Sequence, residues 1–253
     1  MDKLLSEIAR LYFLPDCIPP NEEVLRCIAG EISLKFPLVG QDKRVRAMQL
    51  HFSRSSDWSA LSDLYQLIVE ELELPAPAIS VSGEKGFVLW FSLAEAVPLE
   101  MAEDFLRALS MKYLVSVPDE FRDYLPSGNR QCSASVTPAL SEISGRWSAF
   151  IDPTLGSMFL DEAGLEMAPN RDRQADLLAS LKSISLADFG RVVQVLAEFH
   201  TLTSAKCGME TPIKETVCSE ATRFLLAIMR DDASALKHRI KAAKALLSGS
   251  RHR

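Results

Sequence analysis

The chain has no apolar run approaching the ~20 residues that a membrane-spanning helix needs, and Asp2, Lys3 and Glu7 break its first positions with charge. Neither a membrane span nor a cleavable leader is expected, and the composition reads as that of a cytoplasmic protein with no membrane partner. Cysteine is scarce: Cys17, Cys27, Cys132, Cys207 and Cys218 lie far apart and include no C-x-x-C pair. That spacing offers neither a disulfide framework nor a zinc ribbon, so reduced, mostly buried thiols are expected. His51, His200, His238 and His252 are equally scattered, with no H-E-x-x-H spacing. A Walker loop, a G-x-S-x-G elbow and a dinucleotide G-x-G-x-x-G are also lacking. The residues therefore assign no catalytic group, no metal site and no cofactor, and nothing local supports a Cys–His nucleophile.

An excess of positive charge is missing as well, the formal net charge being −6. Phosphate binding draws its affinity from clustered Lys and Arg, so the net charge argues against a protein coated in nucleic acid. The bases present are unevenly placed. Lys43, Arg44 and Arg46 gather with Arg54, and a second group of Lys237, Arg239, Lys241, Lys244, Arg251 and Arg253 closes the chain. Such clusters form solvated faces in most proteins, and they are also where nucleic-acid contact would fall.

A chain of 253 residues is long enough for a sizeable core. Leu4, Leu5, Ile8, Leu11 and Tyr12 share one face of a helix over residues 2–13, which Pro15, Pro19 and Pro20 end. A second helix is expected from Glu22 towards Ile32. The apolar rhythm then alternates between period two and period 3.6 over residues 45–118. Met48, Leu50 and Phe52 alternate with Ala47, Gln49 and His51 as in a two-faced strand. Ser56 or Asp57 would cap a helix whose stripe is Trp58, Leu61, Leu64, Tyr65, Ile68 and Leu72, closed by Pro75 and Pro77. A short strand over 78–82, a turn over 83–86 and an apolar strand over 87–93 follow. Pro98 opens a helix with Met101, Phe105, Leu106 and Leu109 inward, and residues 113–117 are read as the last strand. Strand, helix, strand, strand, helix, strand is the order of a ferredoxin-like or RRM-like βαββαβ unit.

Residues 118–146, rich in Pro, Ser, Gly and Asn, read as a loop or insertion, and 147–151 as an extra strand. Beyond Pro153 the chain reads as helical, with Asn170 capping one helix and Ser185 and Asp188 boxing the start of another. Two further helices are expected near 219–229 and 233–247. The organisation is thus an α+β sheet domain over 1–153 with an N-terminal helical lead-in, and a helical region over 154–253. Phe87 and Phe91 share a parity that Trp90 does not, so at least one sheet face must be core; core packing is favoured over base stacking.

The segment Ser80-Val81-Ser82-Gly83-Glu84-Lys85-Gly86-Phe87-Val88-Leu89-Trp90 resembles the S-G-x-G-F-H-x-W region of the archaeo-eukaryotic primase, or primase-polymerase, superfamily. In that family an acidic pair on the preceding strand and a later aspartate hold divalent metal around the transferred phosphoryl group. The matching strand here reads Leu50-His51-Phe52-Ser53, and neither His51 nor Ser53 offers the hard anionic oxygen that Mg²⁺ demands. The family's phosphate-contacting histidine falls on Val88, and only Asp152 could stand for the third acid. The resemblance covers roughly residues 45–153 and implies a sheet of this kind without its metal.

A shorter segment, Phe224 to Asp232 followed by Arg239 to Leu247, is similar to part of some phage terminase small subunits; the same residues also fit a plain antiparallel helical hairpin. Both resemblances imply plasmid or phage replication and packaging. The expected function is a non-catalytic accessory protein of DNA replication or mobile-element maintenance, with DNA and a replication protein as partners. Arg44, Arg46, His51, Arg54, Ser82 and Lys85 near the sheet, with Lys237, Arg239, Lys241 and Lys244 on the last helices, are the candidate nucleic-acid contacts. Two alternatives stand beside it: a protein–protein interaction module, and a divalent-metal nucleotidyltransferase in which Asp57, Asp63 or Asp119 approaches Asp152 and His51.

Overall fold

A computed structural model describes residues 2–128 and 132–205, with side chains through residue 197. One compact unit runs over Met1–Thr201 and a second over Leu202–Arg253. The helices expected near 219–229 and 233–247, and with them Lys237, Arg239, Lys241 and Lys244, lie outside the described residues.

Helix α1 (Lys3–Tyr12) is capped by Asp2, whose Oδ1 accepts from Leu5 N at 3.1 Å, and buries the expected stripe of Leu4, Leu5, Ile8, Leu11 and Tyr12. Helix α2 (Asn21–Ile28) stops four residues short of Ile32. Gly30 adopts φ +79 there, and its N–H donates to Cys27 O while Glu31 N donates to Arg26 O, a left-handed glycine closure of the helix. A short strand unanticipated in the sequence, β1 (Lys35–Pro37), precedes β2 (Arg44–Phe52), α3 (Trp58–Glu70), β3 (Ala78–Val81), β4 (Phe87–Pro98) and α4 (Leu99–Tyr113). Then come β5 (Arg122–Leu125), β6 (Ser133–Ser135), β7 (Ala149–Ile151), α5 (Arg171–Ala179) and α6 (Leu186–Ala205).

The class is α+β. Five strands form one sheet in the order β5-β2-β4-β3-β7, every neighbouring pair antiparallel, and β1 with β6 makes a separate ribbon. Several expected boundaries need correction. Residues 113–117 are not a strand: the stripe of Ala102, Phe105, Leu106 and Leu109 carries α4 on to Tyr113, and Leu114 and Val117 are buried as anchors of the turn after it. The strand paired with the outer side of β2 is β5, whose Arg-Asp-Tyr-Leu sequence lacks apolar alternation because it is a half-buried edge. The stretch 118–146 therefore holds two strands and is not simply a loop. Met101, expected inward, is on the exposed side of α4, and Ala102 takes the buried position. Asp57 precedes α3 but gives it no side-chain cap, because its carboxylate accepts from Arg54.

Period two splits the sheet's side chains between two cores. Met48, Leu50, Phe52, Phe87, Leu89 and Phe91 pack against Leu61, Leu64 and Ile68 of α3, Phe105 and Leu106 of α4, and Phe189 and Val192 of α6. On the other face Ala47, Ala78, Val88, Trp90 and Phe150 meet α1, Ala175 and Leu178 of α5, and Phe36 and Ala134 of the β1–β6 ribbon. The aromatic row is core on both sides, one face more than its parity required. The two later helices start as read: Asn170 Oδ1 accepts from Arg173 N at 3.0 Å, and Ser185 Oγ from Asp188 N at 3.1 Å.

Candidate functional site

The second face is only partly covered. Over β2, β3 and β4 it opens into a cleft of about 520 Å³, walled by the β1–β6 ribbon and by residues 136–143 with Ser148. The alternation that sends Leu50 and Phe52 into the α3–α4 core turns Gln49 and His51 towards this cleft. Their side chains meet, His51 Nε2 lying 2.9 Å from Gln49 Oε1. A carbonyl oxygen only accepts, so this contact calls for the tautomer protonated at Nε2 and leaves Nδ1 as an acceptor. Burial pushes the His51 pKa down to about 4, against the opposing pull of Asp123, its cross-strand partner on β5. The imidazole is therefore neutral near pH 7. Beside it, buried Ser80 accepts from Trp90 Nε1 at 2.8 Å. The floor is polar and uncharged.

Ser82 organises the turn between β3 and β4. Its Oγ accepts from the backbone N–H groups of Glu84, Lys85 and Gly86 at 3.1, 3.2 and 3.1 Å, while Ser82 N donates to Gly86 O at 2.8 Å. The turn folds tightly over the end of β2: a Cβ on Gly86 would lie 1.7 Å from Phe52 O. Gly86 is thus required by close backbone approach, whereas Gly83 is required by its φ of +78. Lys85 stands exposed at the tip. Glu84 accepts from Ser141 Oγ, and Ser144 Oγ donates to Gly83 O, which ties the wall of the cleft to the turn.

The candidate arginines are separated and engaged. Arg44 is exposed, its guanidinium donating to Ala96 O. Arg46 donates to Leu93 O at 3.3 Å, Phe13 O at 3.1 Å and Arg10 O at 2.7 Å, clasping the end of α1 to the sheet. Burial, with the charge of Arg10 nearby, lowers its pKa. Arg54 forms a two-point pair with Asp57 at 3.0 and 2.8 Å and lies 3.8 Å over the Phe121 ring. Arg44 opens β2 and Arg54 lies two residues beyond its other end, so the two stand at opposite ends of the strand. His51, Ser82 and Lys85 fall near the cleft and its turn; Arg44 and Arg46 lie at the opposite end.

Asp152 does not join His51. Its Oδ1 accepts from Thr154 N at 2.8 Å and Thr154 Oγ1 at 2.6 Å, bonds that hold its pKa below the usual carboxylate range, and its charge acts on Tyr65 of α3. Among the described residues no group of three or more His, Cys, Asp or Glu is placed to hold a metal ion. Val88, at the position of the resembled family's histidine, is the direct cross-strand partner of His51. Gln49 and Ser80 were missed as site residues, although Gln49 shares the parity of His51 and is polar in an otherwise apolar run. Compared with known proteins, the chain matches no family model and no curated protein. Among the described residues no helix is long and apolar enough to cross a membrane.

Proposed function

We propose that this chain is a non-catalytic accessory protein of DNA replication or mobile-element maintenance, built on a ferredoxin-like sheet of the primase-polymerase kind. The strand order β5-β2-β4-β3, with α3 and α4 packed on a single face, supports the ferredoxin-like part of this reading. The observation that carries the functional part is the pairing of His51 with Val88 beside the Ser82 to Gly86 turn, on the face away from α3 and α4. These are the positions where the resembled family handles metal and nucleotide phosphate. Here they carry a neutral imidazole and an isopropyl group, neither of which offers the anionic oxygen that a hard cation requires. The scaffold is kept while the phosphoryl-transfer groups are replaced, which fits binding better than chemistry.

A fluorescence-anisotropy titration of the full chain with single-stranded and duplex DNA tests this. Binding at about 50 mM salt that weakens steeply by about 200 mM is expected, as counterions are released from the neutralised phosphates. Affinity indifferent to salt, or absent at low salt, would sink the DNA reading. A second reading, a protein–protein interaction module, is favoured by one specific observation: Arg46 and Arg54 are engaged within the protein and Arg44 lies at the far end of β2, so these three candidate arginines form no continuous patch.

A further inference from the structure

The open edge of β6 and the floor of the cleft present hydrogen-bonding groups that the protein itself does not use. In an antiparallel ladder, residues alternate between those whose N–H and C=O face the partner strand and those that face away. Leu38 N donates to Cys132 O and Val136 N to Leu34 O, each at 2.9 Å, which places Cys132, Ala134 and Val136 in the positions facing β1. Ser133 and Ser135 therefore turn their backbone groups away from β1, and no described residue takes those bonds. Both residues line the cleft. On its floor Gln49 is 1% exposed, its Oε1 engaged by His51 and its amide N–H groups without an acceptor among the described residues. Gln49 is not among the described buried groups left unsatisfied, so its amide nitrogen opens to the cleft and a ligand group can reach it.

We propose that the cleft is the docking site for an extended peptide segment of a partner protein. The segment adds a strand to β6 through Ser133 and Ser135 and seats an amide or hydroxyl side chain on Gln49 and His51. This rests on the reading above that the face bearing His51 is the functional one, and it names what that face holds. Charge selects the occupant. The floor is neutral, and the ionisable side chains of the rim are Glu84 and Glu142 against Lys35. An uncharged anchor with a basic flank is complementary to this lining, whereas a phosphorylated or acidic segment is repelled. The volume of about 520 Å³ also suits a few residues of chain.

The test is selection of a random peptide display library on the full chain, followed by titration of the synthesised winners. Expected are peptides with an Asn, Gln, Ser or Thr anchor next to Lys or Arg. Their affinity should fall about tenfold or more on Gln49→Leu and on Ser135→Pro, the second removing one outward N–H while leaving the β1 ladder intact. Winners that bind both variants as tightly as the native chain, or a library that yields no winner, would overturn the proposal. Should either variant fail to fold, hydrogen exchange of the native chain decides: the Ser133 and Ser135 amides must become protected when peptide is added, and unchanged exchange refutes the docking. The DNA titration separates the two readings. Peptide failure beside salt-dependent DNA binding removes only this inference, while peptide binding without DNA binding removes only the DNA role.

Discussion

On the face that α3, α4 and α6 cover, Met48, Leu50, Phe52, Phe87, Leu89 and Phe91 interleave with apolar side chains from all three helices, whereas the same strands offer Gln49, His51 and Ser80 to the opposite face. Elements over the second face have an apolar core, yet they are also fastened by side chains that seek backbone groups. Arg46 binds carbonyls at the end of α1, Arg10 binds Leu178 O and Leu181 O at the end of α5, and Gln174 exchanges two bonds with Phe150 on the edge strand β7. Apolar burial is non-directional and fills whatever space it is given. A polar clasp fixes where an element sits and lets a gap remain beside it. The α3–α4–α6 face carries such clasps too, Arg122 donating to Ser110 O and Leu114 O and Arg191 to Leu72 O, so the cleft follows from where the ribbon and residues 136–143 leave the second face uncovered.

The strongest way to break this comparison is to cut one residue from each face. Phe105 packs edge-on to Phe91 at 5.6 Å and against Phe189 at 5.0 Å between centroids. Phe105→Ala should lose about 3–5 kcal/mol in urea unfolding, through lost burial and the cavity left behind. Gln49→Leu, on the cleft floor, should lose less than about 1 kcal/mol, since the amide makes a single described hydrogen bond, to His51. Equal losses would mean that the cleft is part of the structural core.

Arg44 and Arg46 sharpen the same point, being two residues apart in sequence and alike in composition terms. Arg46→Met should cost about 2 kcal/mol, because it leaves three carbonyls, at Arg10, Phe13 and Leu93, without their charged donor. Arg44→Met, at an exposed position, should change stability by less than about 0.5 kcal/mol. Thermal or urea melts of the two variants side by side decide; matched values would show that the clasp contributes nothing.

Much of this was legible along the chain, and the exceptions have physical causes. Elements that bury one stripe, such as α1 with Leu4, Ile8 and Leu11, announce themselves because burial imposes a period. The parity of Phe87, Trp90 and Phe91 is enough to assign them to two faces. By contrast β1, β5 and β6 are three or four residues long and lie at edges or in a ribbon, where half-burial imposes no period. Gln49 was hidden differently: its meaning depends on the walls that close over it, which come from residues 133–148, far away in sequence. The arginines show the converse failure, since a cluster in sequence says nothing of which carbonyls lie within reach.

The titration of His51 gives an effect comparable to that of the Arg46 clasp, read through pH on the cleft face. Its pKa of about 4 in the folded protein lies below the ordinary 6.5. Between those two values the unfolded chain takes up a proton that the folded protein refuses, so stability is fully present above about pH 6.5 and declines as pH falls towards 4. At 1.36 kcal/mol per pKa unit the ceiling is about 3 kcal/mol, and the partial exposure of the ring reduces this to roughly 2. His51→Gln removes the titrating group and keeps a partner for Gln49. The variant should therefore lose less stability than the native chain between pH 6.5 and 4.5, with carboxylates common to both cancelling in the difference. Parallel stability profiles across that range would show that the ring is hydrated and charged in the cleft, and the neutral floor on which peptide docking depends would go with it.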